Sequence, residues 1–271
     1  MMRFFQGCTA LVTGASSGLG AEFARQLAPL ASRLVLVARR KDRLEELAKD
    51  LRRFHPNLDI RIFAADLTSA DPRLALADWL TAEKIDINFL INNAGLGDHG
   101  EFHSSDWARV QAMLDLNITA LTHLSHLLVN RMIVQGRAAI LNVSSVAGFF
   151  PLPTMSVYSA TKAYVTSFSE SLAMELRPQG ITVTALCPGP VPTEFFEVAT
   201  RPCDEDRADS FKTCPALVAL PFEVVRAGLE AVARDRARVI PNPLLAATVA
   251  IGLAIPFFIV RRILAARASN H

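Results

Sequence analysis

The chain has 271 residues, of which 51% are hydrophobic and 20% charged, with a formal net charge of +2; these proportions suit one large core better than two small ones. No run of five or six like charges offers a footprint for nucleic acid, and the one basic cluster, RRKDR at 39–43, is sized for a small anion. Cys8, Cys187, Cys203 and Cys214 are widely spaced behind an N-terminus that has no separate apolar signal segment, which predicts free thiols and a cytoplasmic location.

Short apolar runs then alternate with amphipathic stretches. They read CTALVT from residue 8, RLVLVA from 33, DIRIFAA from 59, INFLIN from 87, RAAILNV from 137, ITVTALC from 181 and a weaker ARVIP from 237. Runs apolar on both faces, separated by helical patterns, predict an α/β fold: a doubly wound, Rossmann-like parallel sheet of six or seven strands forming one domain over residues 1–243. Such a sheet holds ligands at the carboxyl ends of its strands, near the point where strand order reverses. The longest irregular stretch, 188–221, is expected to be a substrate lid. Residues 244–260 carry no charge and precede Arg261, Arg262 and Arg267. That run sits at the lower length limit of a spanning helix (about 17 residues), has Pro256 near its end and has no polar face. It is expected to open a helical tail, 244–271, that closes over the substrate pocket beside Phe195 and Phe196, with peripheral membrane contact through 244–268 as the alternative.

The first strand feeds TGASSGLG, residues 13–20. Gly14 suits a tight turn, Gly18 a close approach of backbone to a pyrophosphate, and Gly20 close packing of helix on sheet, while the helix N-terminus offers N–H groups to phosphate. Ser16 and Ser17 are read as cap or phosphate contacts, since no histidine partner is signalled for acyl transfer. A ribose 2'-hydroxyl is commonly held by an acidic residue at the end of the second strand. Here that end reads Ala38, Arg39, Arg40, and a guanidinium fork suits a 2'-phosphate, so NADP is favoured over NAD.

VSSVAG at 143–148 ends the fifth strand, and thirteen residues after Ser145 the segment YSATK, Tyr158 to Lys162, opens a helix. Positions i and i+4 share a helical face, which sets an ammonium beside a phenol and favours the phenolate needed for acid/base work.

With these motifs in their order, from TGASSGLG at 13 through ADL at 65, NNAG at 92, Asn117 in LDLNITA, Ser145 and YSATK to PGPVPT at 188, the chain resembles the short-chain dehydrogenase/reductase family over roughly residues 8 to 240. The resemblance implies Tyr158 as proton donor or acceptor, Ser145 holding the substrate oxygen, Lys162 binding the nicotinamide ribose and lowering the Tyr158 pKa, and Asn117 supporting a proton-relay water. It also implies cofactor contacts from Leu19 in the glycine loop, from Asp66 and Leu67 at the adenine, from Asn93, Ala94 and Gly95, and from Pro188, Gly189, Val191 and Thr193, the last at the carboxamide.

The expected activity is hydride transfer between NADP(H) and a carbonyl or alcohol. Phe149, Phe150, Leu152, Met155, Phe195 and Phe196 bring few charges to the site, which favours a small apolar substrate. His99 and His103 flank Gly100 in a loop, which argues against a zinc helix, and no metal is expected. The helices over 116–128 and 158–176 are apolar on more than one face, so a homodimer or homotetramer is expected. Two other readings remain: a membrane-associated reductase of 3-oxoacyl substrates and a non-catalytic NADP-sensing protein.

Overall fold

Each of the seven apolar runs becomes a strand: β1 (Thr9–Thr13), β2 (Arg33–Ala38), β3 (Asp59–Ala64), β4 (Phe89–Asn92), β5 (Ala138–Val143), β6 (Ile181–Leu186) and the two-residue β7 (Arg238–Val239). The computed structural model describes residues 2–200 and 215–256. All neighbours pair in parallel, in the order β3-β2-β1-β4-β5-β6-β7. A parallel pair needs a long crossover, and the intervening segments supply it as α1 (Gly18–Leu27), α2 (Lys41–Phe54), α3 (Ala70–Ala82), α4 (Trp107–Leu114), α5 (Leu121–Gln135), α6 (Ser156–Leu176), α7 (Glu194–Ala199) and α8 (Pro221–Ala233), while α9 (Pro243–Ala254) follows β7.

The two-residue period of a strand divides the core between two faces. Leu34 and Leu36 point into one apolar cluster with Phe23, Leu27, Leu44, Val224 and Leu229 from α1, α2 and α8. Val35 and Val37, one residue out of phase, join Leu76, Leu80, Leu124, Leu128 and Leu176 from α3, α5 and α6 on the other. Burial on both faces explains why the strands read as continuous apolar runs rather than alternating ones.

Two local features depart from a simple reading of the pattern. The helical run across Leu116–Leu128 is broken by a π turn, Asp115–Ala120, between α4 and α5. The stretch 188–221 contains the short α7 and a 3₁₀ turn, Pro215–Leu217; residues 201–214, with Cys203 and Cys214, lie outside the described residues. Cys8 and Cys187 are free and buried. In the tail, Asn242 caps α9 by accepting from the Leu245 N–H at 3.0 Å, with Pro243 at the first helical position. No helix among the described residues is long and apolar enough to cross a membrane, and residues 257–271, with the three arginines, lie outside them.

Candidate active site

Strand order reverses between β1 and β4, and the carboxyl ends of six strands converge there on a cavity of about 610 Å³. Gly14 leaves β1 with φ +66°, a left-handed conformation that disfavours side chains. A Cβ on Gly14 would lie 2.8 Å from Asn93 Nδ2, and one on Gly20 would lie 2.2 Å from the Gly14 carbonyl oxygen. These two glycines therefore let the loop, the first turn of α1 and the end of β4 close on one another. A Cβ on Gly18 would come no nearer than 3.4 Å to Thr193, so its backbone stays approachable from the cavity. The segment after β4 clamps the loop in place: Thr13 Oγ1 accepts from the N–H groups of Asn93 and Ala94, both at 3.0 Å, and Asn93 Nδ2 donates to the Thr13 carbonyl at 2.9 Å.

The two arginines after β2 diverge. Arg39 reaches Asp66 at 3.8 Å, both side chains being about half exposed. Arg40 turns to the glycine loop, where Nη2 donates to Ser17 Oγ at 2.9 Å and to Ser16 Oγ at 3.2 Å, and Nη1 and Nη2 both donate to Glu194 Oε2 at 3.0 Å. A loop cleared of side chains, two serine hydroxyls and a guanidinium fork beside a helix N-terminus fit a phosphorylated dinucleotide. Of the residues expected to meet it, Gly14, Ser16, Ser17, Gly18, Leu19, Arg39, Arg40, Asp66, Leu67, Asn93, Ala94, Gly95, Pro188, Gly189, Val191 and Thr193 line the cavity. Gly20 sits behind Gly14 instead.

At the other end, α6 presents Tyr158 and Lys162 one turn apart, both buried. The Ser145 hydroxyl stands beside the Tyr158 phenol and accepts from the Ala147 N–H at 3.1 Å, starting a 3₁₀ turn. Lys162 Nζ donates to the Val143 carbonyl at 2.9 Å and lies 5.7 Å from the Tyr158 ring centroid. Asn117, in the π turn, stands one layer back: its amide accepts from the Leu96 N–H (2.8 Å) and donates to the Leu96 carbonyl (2.9 Å) and to Thr161 Oγ1 (3.0 Å). It thereby fixes the backbone that forms the cavity wall, a use of Asn117 that spacing along the chain does not reveal.

Burial dominates the electrostatics. It pushes the Tyr158 phenol up to about 12, against a smaller opposing effect of the Ser145 hydrogen bond, and pulls Lys162 down to about 8. In this state desolvation outweighs any lowering of Tyr158 by the ammonium, because Lys162 is spent on the Val143 carbonyl and the ring face. A phenol held protonated is a proton donor at neutral pH.

Beyond Tyr158 the walls are apolar. Phe150, Leu152, Met155, Phe195, Leu245 and Val249 line them, and the Phe195 ring lies 5.6 Å from that of Tyr158. Helix α9 thus contributes one wall through Leu245, Thr248 and Val249, and a Cβ on Gly252 would meet the Phe150 ring at 2.6 Å. Phe149 is not among the lining residues; its ring lies beneath the Arg238 guanidinium, 5.2 Å away. The side chain of Phe196 lies outside the described residues. Signals absent from the motif reading are Glu194 and an ion pair between buried Asp98 and half-buried Arg109 (2.9 Å), whose guanidinium also bonds the Val198 and Ala199 carbonyls and so ties the end of α7 to the segment after β4. Among the described residues no three histidine, cysteine or acidic side chains gather as a metal site.

Comparison with known proteins agrees with this geometry. The short chain dehydrogenase family profile matches residues 8–203. A very-long-chain 3-oxoacyl-CoA reductase of Danio rerio is 30% identical over 209 residues, 76% of this chain; the chain spans 65% of that protein's length. Among solved structures, a short-chain dehydrogenase from Sphingobium yanoikuyae in complex with NADPH is 38% identical with a TM-score of 0.78, covering 89% of this chain and 90% of that one. The bulky-bulky ketone specific alcohol dehydrogenase of Comamonas testosteroni is 34% identical with a TM-score of 0.73, covering 92% and 95%. A short-chain dehydrogenase/reductase from Burkholderia phymatum in complex with NAD is 28% identical with a TM-score of 0.80, covering 90% and 92%.

Proposed function

The chain belongs to the short-chain dehydrogenase family, and from that premise we propose that it is an NADP-dependent reductase of bulky apolar ketones or aldehydes, working in the reductive direction at neutral pH. The observation that carries the reading is the apolar wall of Phe150, Leu152, Met155, Phe195 and Val249 standing directly beyond a buried, protonated Tyr158. A substrate carbonyl oxygen placed between Ser145 and Tyr158 meets two hydroxyl donors, and those donors stabilise the charge that develops as the carbonyl is reduced. Tyr158 gives its proton to that oxygen, and Lys162 would hold the nicotinamide ribose. A bound nicotinamide cofactor would supply the hydride. The ketone-specific alcohol dehydrogenase of Comamonas supports the substrate class by analogy. Following NADPH consumption over a panel of apolar ketones, aldehydes and 3-oxoacyl thioesters tests it, and turnover of the bulky ketones is the expected result.

A second reading, a membrane-associated 3-oxoacyl reductase, is favoured by the Danio relative and by the outer side of α9, where Leu244, Ile251 and Leu253 are exposed. Turnover confined to the thioesters would select it. In the first reading α9 is chiefly a pocket wall. Deleting residues 244–271 should then raise KM for bulky ketones about tenfold, the effect of losing two or three buried apolar contacts, and leave NADPH binding unchanged. A deletion variant with unaltered KM would assign the tail another role. Exposed Val134, Tyr164 and Met174 on α5 and α6 support a homodimer or homotetramer.

Cofactor choice rests on Arg39 and Arg40. NADPH is expected to bind about tenfold more tightly than NADH, the size of a charge-assisted hydrogen-bond pair at a partly exposed site, and Arg39→Asp should weaken or reverse that preference. Equal affinities in the unmodified protein, measured by fluorescence titration, would defeat the assignment.

A further inference from the structure

The Arg40 fork already holds an anion. The Glu194 carboxylate takes both Nη donors at 3.0 Å, and the same guanidinium bonds Ser17 Oγ at 2.9 Å and Ser16 Oγ at 3.2 Å. A guanidinium fork flanked by serine hydroxyls is the donor set a phosphate monoester uses. Glu194 also begins α7, and the next residue, Phe195, packs its ring 5.6 Å from Tyr158. The contact therefore bridges the glycine loop and the substrate side of the cavity, and both its residues line that cavity.

We infer that Glu194 tempers the preference for NADP(H) by occupying the Arg40 fork as a built-in substitute for the 2'-phosphate, so that NADP(H) must displace its carboxylate and binds less tightly than the fork alone would allow. The inference rests on the NADP reading above. It differs from that reading in assigning the limit on affinity to an acidic residue 154 positions away from the arginine. The two side chains are 44% and 43% exposed, so the competition is worth a small factor rather than orders of magnitude. Arg40 holds the Glu194 carboxyl below the usual carboxylate range, so the contact stays ionic throughout the neutral range, and substitution is a cleaner probe than acidification.

The test is fluorescence titration of the full chain with NADPH and with NADH. Glu194→Gln keeps the shape and removes the charge. It should tighten NADPH by about two- to fivefold, the range an exposed ion pair commands, with a smaller change for NADH, which has no 2'-phosphate. In an Arg40→Met background the added Glu194→Gln change should no longer alter the ratio of the two affinities. Equal tightening of both cofactors would mean that Glu194 acts only as a general negative charge near the pyrophosphate, and would overturn the inference, as would no change in either. If instead the unmodified protein binds NADPH and NADH equally, the NADP reading fails first. A protein that prefers NADPH and is indifferent to Glu194→Gln rejects this inference alone.

Discussion

Tyr158→Phe is expected to lower kcat about 10²- to 10⁴-fold, the usual worth of a positioned proton donor, with NADPH affinity unchanged within about twofold. The substitution keeps the ring that packs with Met113, Met155 and Phe195 and removes only the hydroxyl that stands beside Ser145. The fold and the cofactor side of the cavity are therefore left as they are. The pH dependence of the unmodified enzyme gives a second check. Burial pushes the phenol up to about 12, so the proton donor is fully present through the neutral range and ketone reduction should be flat below pH 8. Alcohol oxidation needs the phenolate, whose fraction grows about tenfold per pH unit below the pKa, and its kcat/KM should climb through the alkaline range. Near-normal turnover in Tyr158→Phe, or oxidation indifferent to pH, would remove Tyr158 from the chemistry.

What could be read in the sequence follows from the range of each signal. The strands and their two-faced burial were legible because Leu34, Val35, Leu36 and Val37 announce them within a single turn of chain, and seven such runs with helical spacers leave few topologies. Gly14 and Gly20 were legible for the same reason: they lie six positions apart in the chain, and a Cβ on Gly20 would meet the Gly14 carbonyl. Contacts that depend on where distant loops meet were not. Two adjacent arginines follow β2, and no local pattern says that Arg40 rather than Arg39 turns to Ser17, because the other partner of Arg40, Glu194, lies on a helix after β6. Phe149 and Phe150 look alike in a list of pocket aromatics, yet the 3₁₀ turn started by Ser145 sends one ring beneath Arg238 and the other to the cavity. The π turn at Asn117 is invisible for a related reason: the helical period continues across it, and its consequence, an amide that grips Leu96, is tertiary.

Lys162→Met should abolish most activity, at least about 10²-fold, weaken NADPH binding, and yet make the protein more stable at pH 7. Lys162 is 5% exposed, with its ammonium bonded to the Val143 carbonyl, and desolvation holds its pKa at about 8 against an ordinary 10.5. Between those values the unfolded chain binds more protons than the folded one, so stability rises with pH across that window; below pH 8 the full penalty applies, on the order of 3 kcal/mol. Methionine fills a similar volume and carries no charge, and it sets against that gain the loss of one hydrogen bond to Val143, roughly 1 kcal/mol. Denaturant unfolding should therefore show the variant more stable by about 2 kcal/mol at pH 7, with the difference closing as the pH approaches 10. A variant that is less stable at pH 7, and whose stability follows the same pH slope as the parent, would show that the buried ammonium carries no such penalty. If the expected pattern holds, the lysine is retained against the interest of the fold, which is the physical sense in which a buried cation beside Tyr158, with no acidic partner among the described residues, marks a working site rather than a structural one.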